Sequence, residues 1–237
     1  MEIRKGCCVC NSPFFLSLPR RVEASGRRRS MILSAARGTE RRGERYAGRR
    51  GESTMKIAII GYSGSGKSTL ARHLGRQYGL DVLYLDKVYW LPGWRERPKA
   101  ETQGMVEAFL DTHSAWVIDG NYTSFSFERR MAEADRILFL NFNRFRCLSR
   151  AVARHRAYRG RSRPSITEGC PEKMDWEFFW WILCRGRTAR QRAVFRSLSA
   201  RYPGKVMEIR NQRALDRVYR GEGLEVVPPG RGERETR

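Results

Sequence analysis

The 237-residue chain has no long apolar run. Its longest, FFWWILC from Phe178 to Cys184, falls far short of the roughly 20 residues that cross a bilayer, so neither a transmembrane helix nor a membrane partner is expected. Cysteine is sparse too, with six residues at positions 7, 8, 10, 147, 170 and 184. Cys7 and Cys10 have the spacing of a zinc ribbon, but no second CxxC or HxxxH follows to complete a ligand set, so the pair is read as incidental. With no disulfide framework, a cytoplasmic setting is expected. Internal repeats are absent, as are the signatures of helix-turn-helix, zinc-finger and RNA-recognition modules.

Acidic residues are also scarce: 25 Asp+Glu stand against 47 Lys+Arg, a formal charge of +22 carried almost entirely by arginine. Such an excess attracts nucleic acid, polyphosphates or anionic surfaces without choosing among them. An arginine-biased codon usage yields the same balance. The length leaves room for one domain with a real core plus appendages, expected to be a monomer.

Residues 1–54 hold 13 Lys+Arg against five Glu and show no sustained period of 2 or 3.6. Such a stretch buries too little apolar surface to offset the entropy of ordering, so a disordered, Arg-rich leader is expected. A basic arm for nucleic acid, a targeting peptide and sequence upstream of the true start are the competing accounts. A start at Met55, directly before the first apolar strand, is favoured.

From Met55 the pattern becomes orderly. Strands are expected at Ile57–Ile60, Asp81–Leu85, Trp116–Ile118, Arg136–Asn141 and Lys205–Ile209. Helices are expected at Lys67–Tyr78, around Lys99–Thr112 and Phe125–Ala134, from Arg144 to about Tyr158, and at Gln212–Tyr219. Short apolar strands alternating with helices predict a three-layer α/β/α fold with a five-stranded parallel sheet. A domain over 55–222 is expected, with a lid over about 159–190 and a loose tail over 223–237. The aromatic helix inside that lid reads as core.

The sequence GYSGSGKSTL, Gly61 to Leu70, matches G-x-x-x-x-G-K-[ST] between a buried strand and a helix. Glycines let backbone amides turn toward phosphate oxygens, and the helix N-terminus adds its positive end. Lys67 brings a point charge to the β- and γ-phosphates, and the Ser68 hydroxyl ligates Mg²⁺. Gly61, Ser63, Gly64, Ser65, Gly66, Lys67, Ser68 and Thr69 are thus the expected ATP-binding set.

Asp119, ending the third strand in WVIDGNY, is the candidate second anchor for the metal, with a helix cap or turn as the bland alternative. Asp86, ending the second strand, is the candidate to orient or deprotonate an acceptor hydroxyl, with a surface turn as its alternative. Tyr89, Trp90, Pro92 and Trp94 follow it, and this aromatic cluster either stacks on a ring-bearing acceptor or closes the core. Arg150 and Arg154, four apart on one helix face, are candidates to offset charge developing on a transferred phosphoryl group. They stand within a basic stretch that also holds Arg144, Arg146, Arg156, Arg159, Arg161 and Arg163.

The phosphate loop, LDxxxWLPGW (Leu85 to Trp94), WVIDGNY (Trp116 to Tyr122), ADRILFL and EGCPEKMDWEFFWWI (Glu168 to Ile182) together resemble the topology modulation proteins, often labelled FlaR-related. That family is similar to adenylate kinase, and the resemblance covers roughly residues 55 to 200. It implies a P-loop kinase fold, ATP binding through Gly61 to Ser68, and for Asp119 the place of the Asp in an Asp-Gly motif. Asn141-Phe142-Asn143-Arg144 departs from the family's more frequent Asp-x-Pro-Arg. Two functions stay open: a small kinase passing phosphate from ATP to a nucleoside, nucleotide or other hydroxyl compound, and a nucleic-acid-associated ATP-binding protein that affects DNA topology.

Overall fold

The computed structural model describes residues 55–224. The predicted Arg-rich leader, with Cys7 and Cys10, lies outside them, as does the chain beyond Leu224. Leu224 itself is buried.

Strand β1 (Lys56–Gly61) is shielded on both faces, with Ile57, Ile59 and Ile60 fully buried. Helix α1 (Lys67–Tyr78) follows and ends on Gly79 in the left-handed conformation, a common helix stop. After β2 (Asp81–Tyr84) come a short helix α2 (Leu85–Tyr89) and a small hairpin of β3 (Trp90–Leu91) and β4 (Arg95–Glu96). Then follow α3 (Lys99–Thr112), β5 (Trp116–Asp119), α4 (Phe127–Glu133) and β6 (Arg136–Leu140). The basic helix α5 (Arg144–Ala157) leads through an irregular strap to α6 (Trp176–Leu183), a 3-10 turn at Arg185–Arg187 and α7 (Ala189–Arg201). The strand β7 (Val206–Ile209) and α8 (Gln212–Tyr219) close the fold.

The main sheet has the order β2-β5-β1-β6-β7, all parallel. Leaving β1 the chain steps toward β2, and leaving β6 it steps the other way to β7. The carboxyl ends of β1 and β6 therefore flank a switch point, where open α/β sheets form a crevice. Right-handed crossovers put these opposite steps on opposite faces, so helices cover both sides. The α/β architecture with five parallel strands is the expected one.

Two expectations need correction. The second strand stops at Tyr84, so Asp86 lies in the first turn of α2 instead of ending a strand. Helix α6, read as core, keeps Trp176 73% and Trp180 45% exposed and buries only Ile182 fully. Among the described residues no helix is long and apolar enough to cross a membrane.

Candidate functional site

The Gly61–Lys67 turn is held from three directions. Gly61 faces Leu140 of β6 at φ +145°, and a Cβ there would stand 2.5 Å from the Leu140 carbonyl oxygen. At Gly64, φ +78°, a Cβ would land on the carbonyl of Cys147 in α5. Only a residue without Cβ lets these backbones approach so closely. From α5, Arg150 Nη1 donates to the Ser65 carbonyl at 2.7 Å while its guanidinium lies 4.1 Å over the Phe142 ring. From the segment after β5, Asn121 Oδ1 accepts from the Gly61 amide at 2.8 Å and Asn121 Nδ2 donates to the Gly61 carbonyl. Gly66 precedes α1, and no side chain caps that helix start. A positive helix end therefore opens directly onto the turn.

Lys67 bends back over the turn and donates from Nζ to the Tyr62 carbonyl at 3.2 Å. Asp119 ends β5 beside it, in register with Ile59 of β1 and Tyr84 of β2. Its carboxylate is buried and hydrogen-bonded by Ser68, yet Oδ1 has no partner among the described residues. The buried Ser65 Oγ is likewise unpaired. Burial pushes the Asp119 pKa up, with Lys67 and Ser68 pulling against it. Burial pulls Lys67 down, opposed by Asp119 and Asp86. An orphaned buried carboxylate oxygen next to a serine hydroxyl is an unusual arrangement in a settled interior. Both are hard oxygen donors of the type that Mg²⁺ takes, so the residues present fit that ion.

Asp86 makes two bonds: Oδ1 accepts from Tyr122 Oη at 2.9 Å and Oδ2 from Arg163 Nη2 at 3.1 Å. Arg163 also lies 3.8 Å from Glu172, a buried carboxylate that Arg154 Nη2 approaches to 2.5 Å. Burial lowers the Arg154 pKa, Arg163 adds to the fall and Glu172 opposes it. The two arginines singled out on α5 thus do different work. Arg150 braces the loop through a carbonyl, and Arg154 is neutralised by Glu172. It is Arg163, with Asp86, that shares the electrostatic surroundings of Lys67 and Asp119.

The strap after α5 is stitched to α2 and the hairpin. Thr167 Oγ1 donates to the Lys87 carbonyl at 3.0 Å, the Gly93 amide to the Gly169 carbonyl at 3.0 Å, and Trp94 Nε1 to the Pro171 carbonyl at 3.1 Å. Tyr89 and Trp90 are buried, and the Tyr89 ring packs 5.2 Å from Tyr122 and 5.5 Å from Phe125. Of the two readings for this aromatic group, those two residues take the core role.

Other residues escaped sequence reasoning. Fully buried Arg130 donates to the carbonyls of Phe125 (2.9 Å), Gly120 (3.3 Å) and Tyr122, and burial pulls its pKa down to about 9. Arg187 lies 3.6 Å over the Tyr62 ring and donates to the Phe142 carbonyl at 2.7 Å. Asn121, within the quoted WVIDGNY, carried a signal by position alone: it directly follows Asp119-Gly120. Arg163 carried none beyond membership of a basic run.

No protein-family model matches this chain, and no curated protein matches it. Among solved structures it is similar to TT1252 from Thermus thermophilus, at 16% identity over 70% of this chain and 95% of that one, with a TM-score of 0.43. A shikimate kinase from Acinetobacter baumannii, solved with shikimate, matches at 15% identity over 70% and 89% of the two chains, TM-score 0.43. The deoxyadenosine kinase of M. mycoides matches at 16% identity over 65% and 90%, TM-score 0.36.

Proposed function

We propose that this chain is an ATP-binding P-loop phosphotransferase of the topology-modulation, FlaR-related kind, acting on a small hydroxyl or phosphate acceptor. The observation that carries the reading is the meeting of Lys67 and the orphaned Asp119 carboxylate beside a glycine turn that opens onto an uncapped helix. Backbone amides of Gly61 to Thr69 cradle the triphosphate, and Lys67 Nζ leaves the Tyr62 carbonyl to reach the β- and γ-phosphates. Ser68 Oγ and Asp119 Oδ1 are the residues to hold Mg²⁺, which when bound neutralises phosphate charge.

Asp86 receives the acceptor proton as the acceptor oxygen bonds the γ-phosphorus and the bond from that phosphorus to the ADP oxygen breaks. Arg163, on the strap, stands paired with Asp86, and Arg150 keeps the turn in shape. A nucleic-acid role draws less support, because Arg150, Arg154 and Arg163 turn inward to protein partners. Calorimetry with magnesium-complexed ATP, joined to a transfer screen with labelled ATP over nucleosides, nucleotides and small alcohols, tests the reading. Binding lost in Lys67→Ala is expected; no heat from the wild-type chain with either ATP or GTP overturns it.

A further inference from the structure

Asp86, the base of the reading above, is not free: Arg163 holds one oxygen and Tyr122 the other. Arg163 also lines an open cavity of about 730 Å³, together with Lys87, Ser162, Ile166, Thr167 and Glu168, among others. That volume suits a small organic molecule. We propose that this cavity binds an anionic group of the acceptor, a phosphate or a carboxylate, between Lys87 and Arg163. Seating the anion draws Arg163 off Asp86, so that the base is released only by an acceptor that carries the charge.

Two observations at this cavity converge, and the proposal rests on the kinase reading. Lys87 is exposed and forms no ion pair among the described residues; its ammonium sits only 5.9 Å from the Tyr84 ring. Arg163 lines the same space and bonds Asp86 through Nη2 at 3.1 Å, while its buried Nε faces Glu172 at 3.8 Å without a hydrogen bond. The Nη edge can therefore exchange Asp86 for another oxyanion, and planar carboxylates and phosphates both fit such a fork. Against this stands one lining carboxylate, Glu168, which is exposed.

The chemistry of the pairing gives the selectivity. A carboxylate oxygen held by a guanidinium leaves less room for an incoming hydroxyl than an open one. A neutral hydroxyl compound leaves Arg163 on Asp86 Oδ2 and meets an occupied oxygen. An anionic acceptor exchanges one ion pair for another and meets an open one. Binding energy from a group remote from the reacting hydroxyl thus appears in the rate, not only in affinity.

The test uses the full chain with magnesium and ATP, and matched acceptors: adenosine with AMP, ribose with ribose 5-phosphate, and glycerol with glycerol 3-phosphate and with glycerate. In at least one set the anionic member is expected to exceed its neutral twin by about tenfold or more in kcat/KM. Phosphate and carboxylate sources separate in the glycerol set. Lys87→Ala and Arg163→Ala, checked for native circular dichroism, are expected to collapse the anionic-to-neutral ratio to about threefold or less. Neutral twins that match their anionic partners, or a ratio untouched by both variants, overturn the proposal. A second readout is independent of turnover: amide chemical shifts of residues 160–171 are expected to move with AMP, glycerol 3-phosphate or glycerate and not with the neutral twins. If none of these anions moves them while calorimetry still shows ATP binding, the anion site fails and the kinase reading stands. If they move without any ATP heat, the kinase reading fails instead.

Discussion

Asn121 grips the Gly61 peptide from both ends, accepting from its amide at 2.8 Å and donating to its carbonyl, across 60 residues of chain. The grip acts like one rung of a sheet ladder supplied by a side chain, and it fixes where the glycine turn begins. Asn121→Ala leaves two backbone groups of Gly61 without partners. A loss of about 2 kcal/mol in urea unfolding is expected, with weakened ATP binding in calorimetry.

Gly64 and Gly79 separate steric clash from backbone conformation. Both have positive φ, but a Cβ at Gly64 lands on the Cys147 carbonyl while at Gly79 it meets open space. Gly79→Ala is expected to cost about 1 kcal/mol, the left-handed penalty alone. Gly64→Ala adds overpacking against α5 and is expected to cost about 3 kcal/mol or more. Paired denaturant curves measure the difference.

Arg130 is the bracket behind the Asp119 segment, tying the carbonyls of Gly120, Tyr122 and Phe125 together from within the core. Arg130→Met removes all three donors and strands three carbonyls. About 3 kcal/mol of stability is expected to be lost. Arg130→Lys, with one nitrogen for three directions, is expected to recover less than half of it in the same unfolding assay.

Asp119→Asn sets stability against function. Burial pushes the Asp119 pKa up, so the ionised carboxylate is a burden to the ligand-free fold. The amide is expected to raise unfolding stability by about 1 kcal/mol. Its effect on nucleotide is opposite: the gain in ATP affinity on replacing EDTA by Mg²⁺, read by calorimetry, is expected to fall by about tenfold or more.

Glu133 carries an acid-dependent contribution. Burial raises its pKa, but Arg129 at 2.6 Å and Lys56 at 3.0 Å outweigh burial and the net shift is downward. A folded-state pKa below the unfolded value means stability that is present above about 4.5 and disappears as pH falls through the lowered value. Between pH 6 and pH 3 the wild-type chain is expected to lose about 1 kcal/mol more than Glu133→Gln, both measured in urea.

Periodicity picked out the five strands of the main sheet and helices α1, α3, α4, α5 and α8, because an apolar run flanked by glycine or a 3.6-residue pattern reports burial locally. Helix α7 went unread: it is rich in arginine and buries only Phe195 and Leu198, too little for an apolar stripe. Local pattern also singled out Gly61 to Thr69 at a glycine turn and Asp119 at a strand end as candidates, whereas Asp86, read as a strand end, lies in the first turn of α2. The short α2 and the β3–β4 hairpin were not visible, since five- and two-residue elements draw their stability from the strap bonded to them at Thr167, Gly169 and Pro171. Helix α6 misled because its composition is apolar all round, whereas its exposure depends on which neighbours the chain brings to it.

Tertiary structure alone decided which arginine serves which carboxylate. Arg150, Arg154 and Arg163 are equivalent letters in one basic run. They part company because α5 lies against the loop while the strap doubles back to Asp86, 77 residues earlier in the chain. Local pattern records how far a side chain is from water; only the packed chain sets which charge it meets.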